Sequence, residues 1–154
     1  MRKTHILIFL AALLVLGLLV PGLSSATTQT PTALLTKLNN DLIKFEKDDS
    51  QLGLCGTVSC DIKWLKVGGH DAGVVASDER QVVRYVPTSN RFCHSAVVRI
   101  AADTQAFGVL ETKLASVLYP YNADKARKLL GQVKNVKNNL LIAEKNAGQC
   151  QGVA

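Results

Sequence analysis

Two adjacent pairs in this sequence have residue types that could support chemistry. His70 and Asp71 stand in the glycine-flanked stretch GGHDAG, where a loop would present two metal ligands, or an acid and a base. Cys93 and His94 resemble a nucleophile and its base, but neighbours on a helix project about 100° apart and do not face each other. No H-E-x-x-H, G-x-S-x-G, P-loop or dinucleotide-binding motif occurs. We therefore expect no catalytic residue, metal or cofactor.

The four cysteines indicate disulfides more than chemistry. Cys55 and Cys60 have the spacing C-x₄-C, whereas redox-active pairs use C-x-x-C. The other two cysteines are Cys93 and Cys150. An even number of cysteines in an exported chain predicts two disulfides, with three possible pairings that spacing alone does not separate.

The N-terminal residues have the pattern of a secretory signal peptide. Arg2 and Lys3 precede an apolar run at 6–20, and Ser24 and Ala26 have the small-x-small spacing of a cleavage site. We expect a signal peptide at 1–26 and a single domain at 27–154 that is secreted, or periplasmic in a bacterial host. A membrane-spanning helix needs about 20 apolar residues. Because a proline follows this run directly, we expect no transmembrane span after cleavage.

The remaining chain predicts a mainly α fold, a small helical bundle built on a long C-terminal antiparallel helical hairpin. Leucines at one-face spacing predict an amphipathic helix over about 31–48, capped by Thr30. From about 51 to 90 this periodicity is lost among glycines, so we expect an irregular middle segment. Residues from about 91 to 147 predict the hairpin, with Asn122 capping its second helix. The expected inward positions are 93, 96, 100, 103, 107, 110, 114 and 117, then 126, 129, 133, 136, 140, 143, 147 and 150.

This hairpin selects one pairing of the cysteines. Cys93 and Cys150 lie at similar distances from the turn at 119–122, so both fall at the open end of the hairpin and on its inward seam. We therefore expect the disulfides Cys93–Cys150 and Cys55–Cys60. The first would hold the end of the second helix in place.

The charge pattern suggests an acidic partner but not nucleic acid. Without Arg2 and Lys3, the 18 basic and 12 acidic residues leave a net charge of about +4, too low for a nucleic-acid-binding composition. The last helix carries basic residues and no acid between 125 and 143. Trp64, the sole tryptophan, is bracketed by Lys63 and Lys66, and would be a core anchor or part of a basic-aromatic patch. The candidate partner-binding residues are Lys125, Arg127, Lys128, Lys134, Lys137 and Trp64.

Three functional hypotheses follow. The leading one is a secreted non-enzymatic binding protein, whose rigid disulfide-linked helical scaffold presents a surface to an extracellular protein or an anionic surface. The second is a carrier of a small hydrophobic ligand or lipid between the helices, with Asp103 on the seam as a polar group in its cavity or a boundary residue. The third and least favoured is a hydrolase or metal-dependent enzyme around His70 and Asp71.

Overall fold

Four antiparallel helices make up the computed structural model, which describes residues 30–150. They are α1 (Pro31–Leu52), α2 (Val58–Val83), α3 (Arg91–Val117) and α4 (Ala123–Gly148). Each helix packs against the next one in the chain, and no strand occurs within the described range. The fold class is confirmed as a helical bundle. The signal peptide predicted at 1–26 lies outside the described residues.

Every helix begins at a threonine or asparagine whose side chain accepts a hydrogen bond from the backbone three residues later. These caps are Thr30, Thr57, Asn90 and Asn122. Each satisfies an N–H group that has no partner inside its helix, which contributes about 1 kcal/mol. The start of each helix is therefore specified locally.

The irregular segment expected at 51–90 is wrong for most of its length, because α2 occupies 58–83. The glycines of GGHDAG lie in the middle of that helix, where Gly69 faces Gly108 of α3. A Cβ atom added to Gly108 would lie 2.7 Å from the carbonyl oxygen of Gly69, closer than real Cβ contacts. These glycines let two helices approach closely, and packing outweighs their helix-propensity cost of about 1 kcal/mol each.

The predicted hairpin is confirmed, and its inward α4 positions are buried or half-buried from Ala126 to Ala147. Helix α3 buries a second stripe that the predicted seam omits. This stripe packs against α2, because α3 lies between α2 and α4 and is covered on both sides. Its members are Val97, Ala101, Thr104, Gly108, Glu111 and Ala115.

Both predicted disulfides are confirmed. Cys93–Cys150 joins the first turn of α3 to the residue just beyond the cap of α4, across a sequence separation of 57. By loop-entropy reasoning, a closed loop of this length contributes about 4 kcal/mol to stability. The short Cys55–Cys60 loop, with a separation of 5, contributes about 2 kcal/mol on the same basis.

The apolar core extends to both ends of the bundle. At one end, Leu52 at the end of α1 belongs to the same cluster as Leu65, Leu114 and Ala126. The turns at 53–57 and 118–122 lie just beyond this cluster, and we call this end the apex. At the opposite end, leucines at the start of α1 pack with the end of α2, the start of α3 and the end of α4.

Candidate functional site

Large apolar side chains are exposed at the apex. Leu54 and Tyr119 are 78% and 82% exposed, and Val58 and Tyr121 are also more than half exposed. We call these four residues the apolar tip. Scattered exposed apolar residues are ordinary in soluble proteins, whereas these four lie at one end, on the two turns and at the first residue of α2.

Both turns that carry the apolar tip are held closed. The Cys55–Cys60 disulfide closes the first turn between Leu54 and the start of α2. In the second, the backbone N–H of Asn122 donates to the carbonyl of Val117 at 2.9 Å, and Leu118 pairs with Tyr121. The Tyr119–Pro120 peptide bond in this turn is cis. The tip is therefore presented by defined turns.

Exposed basic residues lie in the first turns of α2 and α4, next to the tip. Lys125, Arg127 and Lys128 lie in the first two turns of α4. The ammonium group of Lys63 lies 4.8 Å from the centre of the Trp64 ring, near the start of α2. We call Lys63, Lys125, Arg127 and Lys128 the basic collar. Within residues 30–150 the basic collar makes one ion pair, Arg127 with Asp124 at 3.7 Å, which joins two largely exposed side chains and neutralises little charge.

The structure divides the candidate residues that the charge pattern grouped together. Lys125, Arg127, Lys128 and Trp64 lie at the apex, whereas Lys134 is exposed about 9–14 Å further along α4 than these lysines and arginine. Lys137 lies with its ammonium group 5.0 Å from the centre of the Phe107 ring, which is buried in α3 and packs edge-to-face on Phe45. Lys137 therefore contributes to helix packing.

His70 and Asp71 line the same small pocket of about 170 Å³ between α1 and α2. His70 is exposed on α2, whereas Asp71 is buried and accepts a hydrogen bond from Lys44 at 2.5 Å. Within residues 30–150, no three histidine, cysteine or acidic side chains gather as metal ligands would. The sulfur of Cys93 is committed to a disulfide, so a Cys93–His94 nucleophile and base cannot form.

Ion pairs between lysines of α1 and aspartates of α2 join the two helices, a feature that was not predicted from the sequence. Lys37 donates to Asp78 and to Asp41, and Lys44 donates to Asp71 one heptad away. The hydrogen bond that Lys37 donates to Asp78 raises the pKa of Lys37, and burial raises the pKa of Asp78. The signal was present as lysines seven apart on α1 and aspartates seven apart on α2.

Two buried glutamates, one on α2 and one on α3, form no ion pair within residues 30–150. Burial raises the pKa of both Glu79 and Glu111 to about 8. One carboxyl oxygen of each has no hydrogen-bond partner. Glu111 lies against Gly68, where a Cβ atom would come within 2.7 Å of its carboxyl group. These glutamates are neutral near pH 7 and act as packing groups.

None of the helices within residues 30–150 is both long and apolar enough to cross a bilayer. Comparison of the chain with protein-family models, with curated proteins and with solved structures finds no match in any of the three.

Proposed function

We propose that the protein is a secreted, non-enzymatic binding protein that docks with its apex on an anionic lipid surface. The observation that supports this proposal is the combination of an exposed apolar tip with a basic collar at the same end of the bundle. The signal peptide expected at 1–26 would deliver the protein to such a surface from outside the cell.

The combination favours lipid over other anionic partners. Lysine and arginine near an anionic membrane each contribute about 1 kcal/mol through the surface potential. Tyrosine and tryptophan favour the interface between headgroups and acyl chains, because one end of the ring is apolar and the other polar. A polyanion in water would match the basic collar but leave Leu54, Tyr119 and Tyr121 in solvent.

The bundle also offers a rigid support for this contact. The apolar tip lies directly above the cluster that joins all four helices, and both of its turns are closed by covalent or hydrogen bonds. Presenting ordered side chains reduces the conformational entropy lost on docking. The basic collar lies on regular helix, so its charges keep a fixed position relative to the tip.

Vesicle co-sedimentation tests the proposal. We expect the protein to sediment with phosphatidylcholine vesicles that contain phosphatidylserine, and to remain in solution with phosphatidylcholine alone. Binding should weaken as salt rises from about 0.05 to 0.5 M, because exposed charges are screened beyond a few ångströms at high ionic strength. Tryptophan fluorescence gives a second readout, since Trp64 is the sole tryptophan.

Matched variants distinguish the contribution of the basic collar to vesicle affinity from the effect of the protein's overall charge. Lys125→Glu with Lys128→Glu should reduce vesicle affinity by about 30-fold or more, the equivalent of two lost lysine contacts of about 1 kcal/mol each. Tyr119→Ser with Tyr121→Ser should weaken binding while preserving its salt dependence. Lys134→Glu reverses one charge on the same helix away from the apex, and should have a much smaller effect.

Two results would contradict the lipid proposal. Equal affinity for charged and neutral vesicles would remove the role of the basic collar. Binding to a sulfated polysaccharide, with no vesicle binding, would instead support a soluble anionic partner. Organic extraction and mass spectrometry of the secreted protein test the carrier hypothesis, which remains a separate prediction.

A further inference from the structure

A groove of about 550 Å³ lies between α3 and α4 at the end of the bundle opposite the apex. Ala96 and Ala143, both buried, form its floor because their small side chains leave space between the helices. Its volume falls within the range of about 300–1,000 Å³ that is usual for ligand sites. Because the Cys93–Cys150 disulfide fixes the two helices beside it, the groove is preformed.

The α3 wall of the groove is positively charged. Arg91 and Arg99 line it two helical turns apart, about 12 Å along the axis, and none of its lining residues is acidic. The Nε of Arg99 donates to Asp103 at 2.9 Å, which orients the guanidinium and leaves its two terminal nitrogens for a ligand. Arg91 is exposed and makes no ion pair within residues 30–150. The wall therefore favours carboxylates at two separated positions.

Two asparagines on the α4 wall are spaced to match the backbone of an extended peptide. Asn139 and Asn146 line it seven residues apart, about 10 Å along the helix. That distance equals three residues of an extended chain, which rises about 3.3 Å per residue. Each side-chain amide has both donors and an acceptor, so it can pair with the N–H and C=O groups of one peptide unit. Phe92 and Ile142, each more than half exposed, add apolar contacts.

We propose that this groove binds an extended segment of an acidic peptide. Two of its carboxylates would pair with Arg91 and Arg99, and its backbone would pair with Asn139 and Asn146. An acyl chain fits the groove less well, because it would leave these amides and Ser95 without partners as they lost water. The inference goes beyond apex docking: the groove lies at the other end of the bundle and can be filled while the apex is engaged.

Fluorescence anisotropy with a labelled octapeptide of alternating glutamate and valine tests the proposal on the full disulfide-bonded protein. The glutamate peptide should bind saturably, and its affinity should fall with salt. A peptide of alternating lysine and valine should not bind. Arg91→Gln and Arg99→Gln should each weaken binding about tenfold or more, because each removes a charge-assisted hydrogen-bonded pair.

Arg84→Gln is the matched control. Arg84 is exposed at the same end of the bundle but does not line the groove, so its variant should bind the glutamate peptide as the parent does. Asn139→Leu with Asn146→Leu keeps both arginines while removing the amides, and should also weaken binding. Circular dichroism should show parental helicity for every variant.

Three outcomes would overturn the proposal. The first is no saturable binding of the glutamate peptide up to about 1 mM, the weak limit of specific recognition. The second is equal weakening by Arg84→Gln, which would indicate a diffuse charge effect. The third is displacement of the peptide by decanoate at lower concentration than by unlabelled peptide, which would assign the groove to an anionic amphiphile. None of these outcomes depends on whether the apex binds lipid.

Discussion

Helix α2 packs against α1 on one side and α3 on the other, and both interfaces contain buried acidic side chains. Towards α1, Asp71 and Asp78 each accept a hydrogen bond from a lysine whose long side chain reaches in from the surface. Towards α3, Glu79 and Glu111 have no such cation, and burial raises the pKa of each to about 8. One interface keeps its acids paired with lysines, and the other keeps them protonated.

Helix spacing explains the difference. Where Gly69 meets Gly108, the backbones of α2 and α3 approach so closely that a Cβ atom would collide. There is no room there for a lysine side chain, whose ammonium group must also stay near water. The α1–α2 interface admits the side chains of Lys37 and Lys44, which remain partly exposed. Close packing and charge pairing are therefore alternatives, and α2 uses one on each side.

The largest expected effect is a pH dependence that comes from the α2–α3 side. A glutamate with a pKa of 4.5 when unfolded and about 8 when folded holds more protons in the native state between these values. Stability should therefore be highest at the acid end of this window and fall as pH rises to about 8, by up to about 1.4 kcal/mol per pH unit for each glutamate. Urea unfolding from pH 5 to 9 measures it.

Replacing both acids checks the origin of that slope. Glu79→Gln with Glu111→Gln should flatten the profile between pH 5 and 8 and make the variant more stable than the parent at pH 9. Asp124→Asn, at an almost fully exposed acid on α4, should leave the slope unchanged. A parental slope in the double variant would show that other groups set the pH dependence.

The close approach of α2 and α3 should be sensitive to a single methyl group. We expect Gly108→Ala to lower the free energy of unfolding by about 2–3 kcal/mol, because its Cβ would meet the Gly69 carbonyl and the Ala72 side chain. Gly73→Ala is the control on α2: no atom lies within 4 Å of its Cβ position, and it should stabilise by about 0.5–1 kcal/mol. Thermal unfolding followed by circular dichroism measures both.

Removing a lysine from the α1–α2 interface should have a smaller effect. Lys44→Met leaves Asp71 buried without its cation, and we expect a loss of about 1–2 kcal/mol at pH 7, moderated because Lys44 is exposed. Adding Asp71→Asn to the variant should recover part of this loss, since the remaining group is uncharged. Lys47→Met, exposed on the same helix, should change stability little. Full additivity of the Lys44 and Asp71 changes would mean that the pair contributes nothing.

The smallest effect should come from a contact within α1 alone. The hydrogen bond from Lys37 lowers the pKa of Asp41, so its stabilisation is present above pH 4 and is lost as pH falls. Asp41→Asn should cost about 0.3–0.5 kcal/mol at pH 7, as for other helical pairs four residues apart. A difference between parent and variant that persists at pH 2 would point to packing.

The sequence predicted what depends on local pattern. The α4 seam, the caps Thr30 and Asn122 and both disulfides follow from spacing along one or two helices. Helix α2 was missed because glycine acts locally as a helix breaker, while its role here depends on Gly108, which is distant in sequence. The burial of Glu111 depends on the same close approach of α2 and α3.

The candidate site could be predicted only in part from the sequence, for a related reason. Charge alone identified Lys125, Arg127 and Lys128, whose positions in the sequence carry a visible signal. The apolar tip could not be predicted, because the turns at 53–57 and 118–122 lie at the same end of the bundle only if the segment between them forms two antiparallel helices, α2 and α3. Missing α2 therefore also hid the apex.

The two disulfides also differ in when they can form. Cys55 and Cys60 are separated by only five residues, so the entropy cost of closing their loop is small and oxidation can join them before the bundle exists. Cys93 and Cys150 come together only after α3 and α4 have paired along their whole length. During oxidative folding, the Cys55–Cys60 bond should therefore form first. The Cys93–Cys150 bond should form only in molecules whose α3–α4 hairpin is already correctly paired.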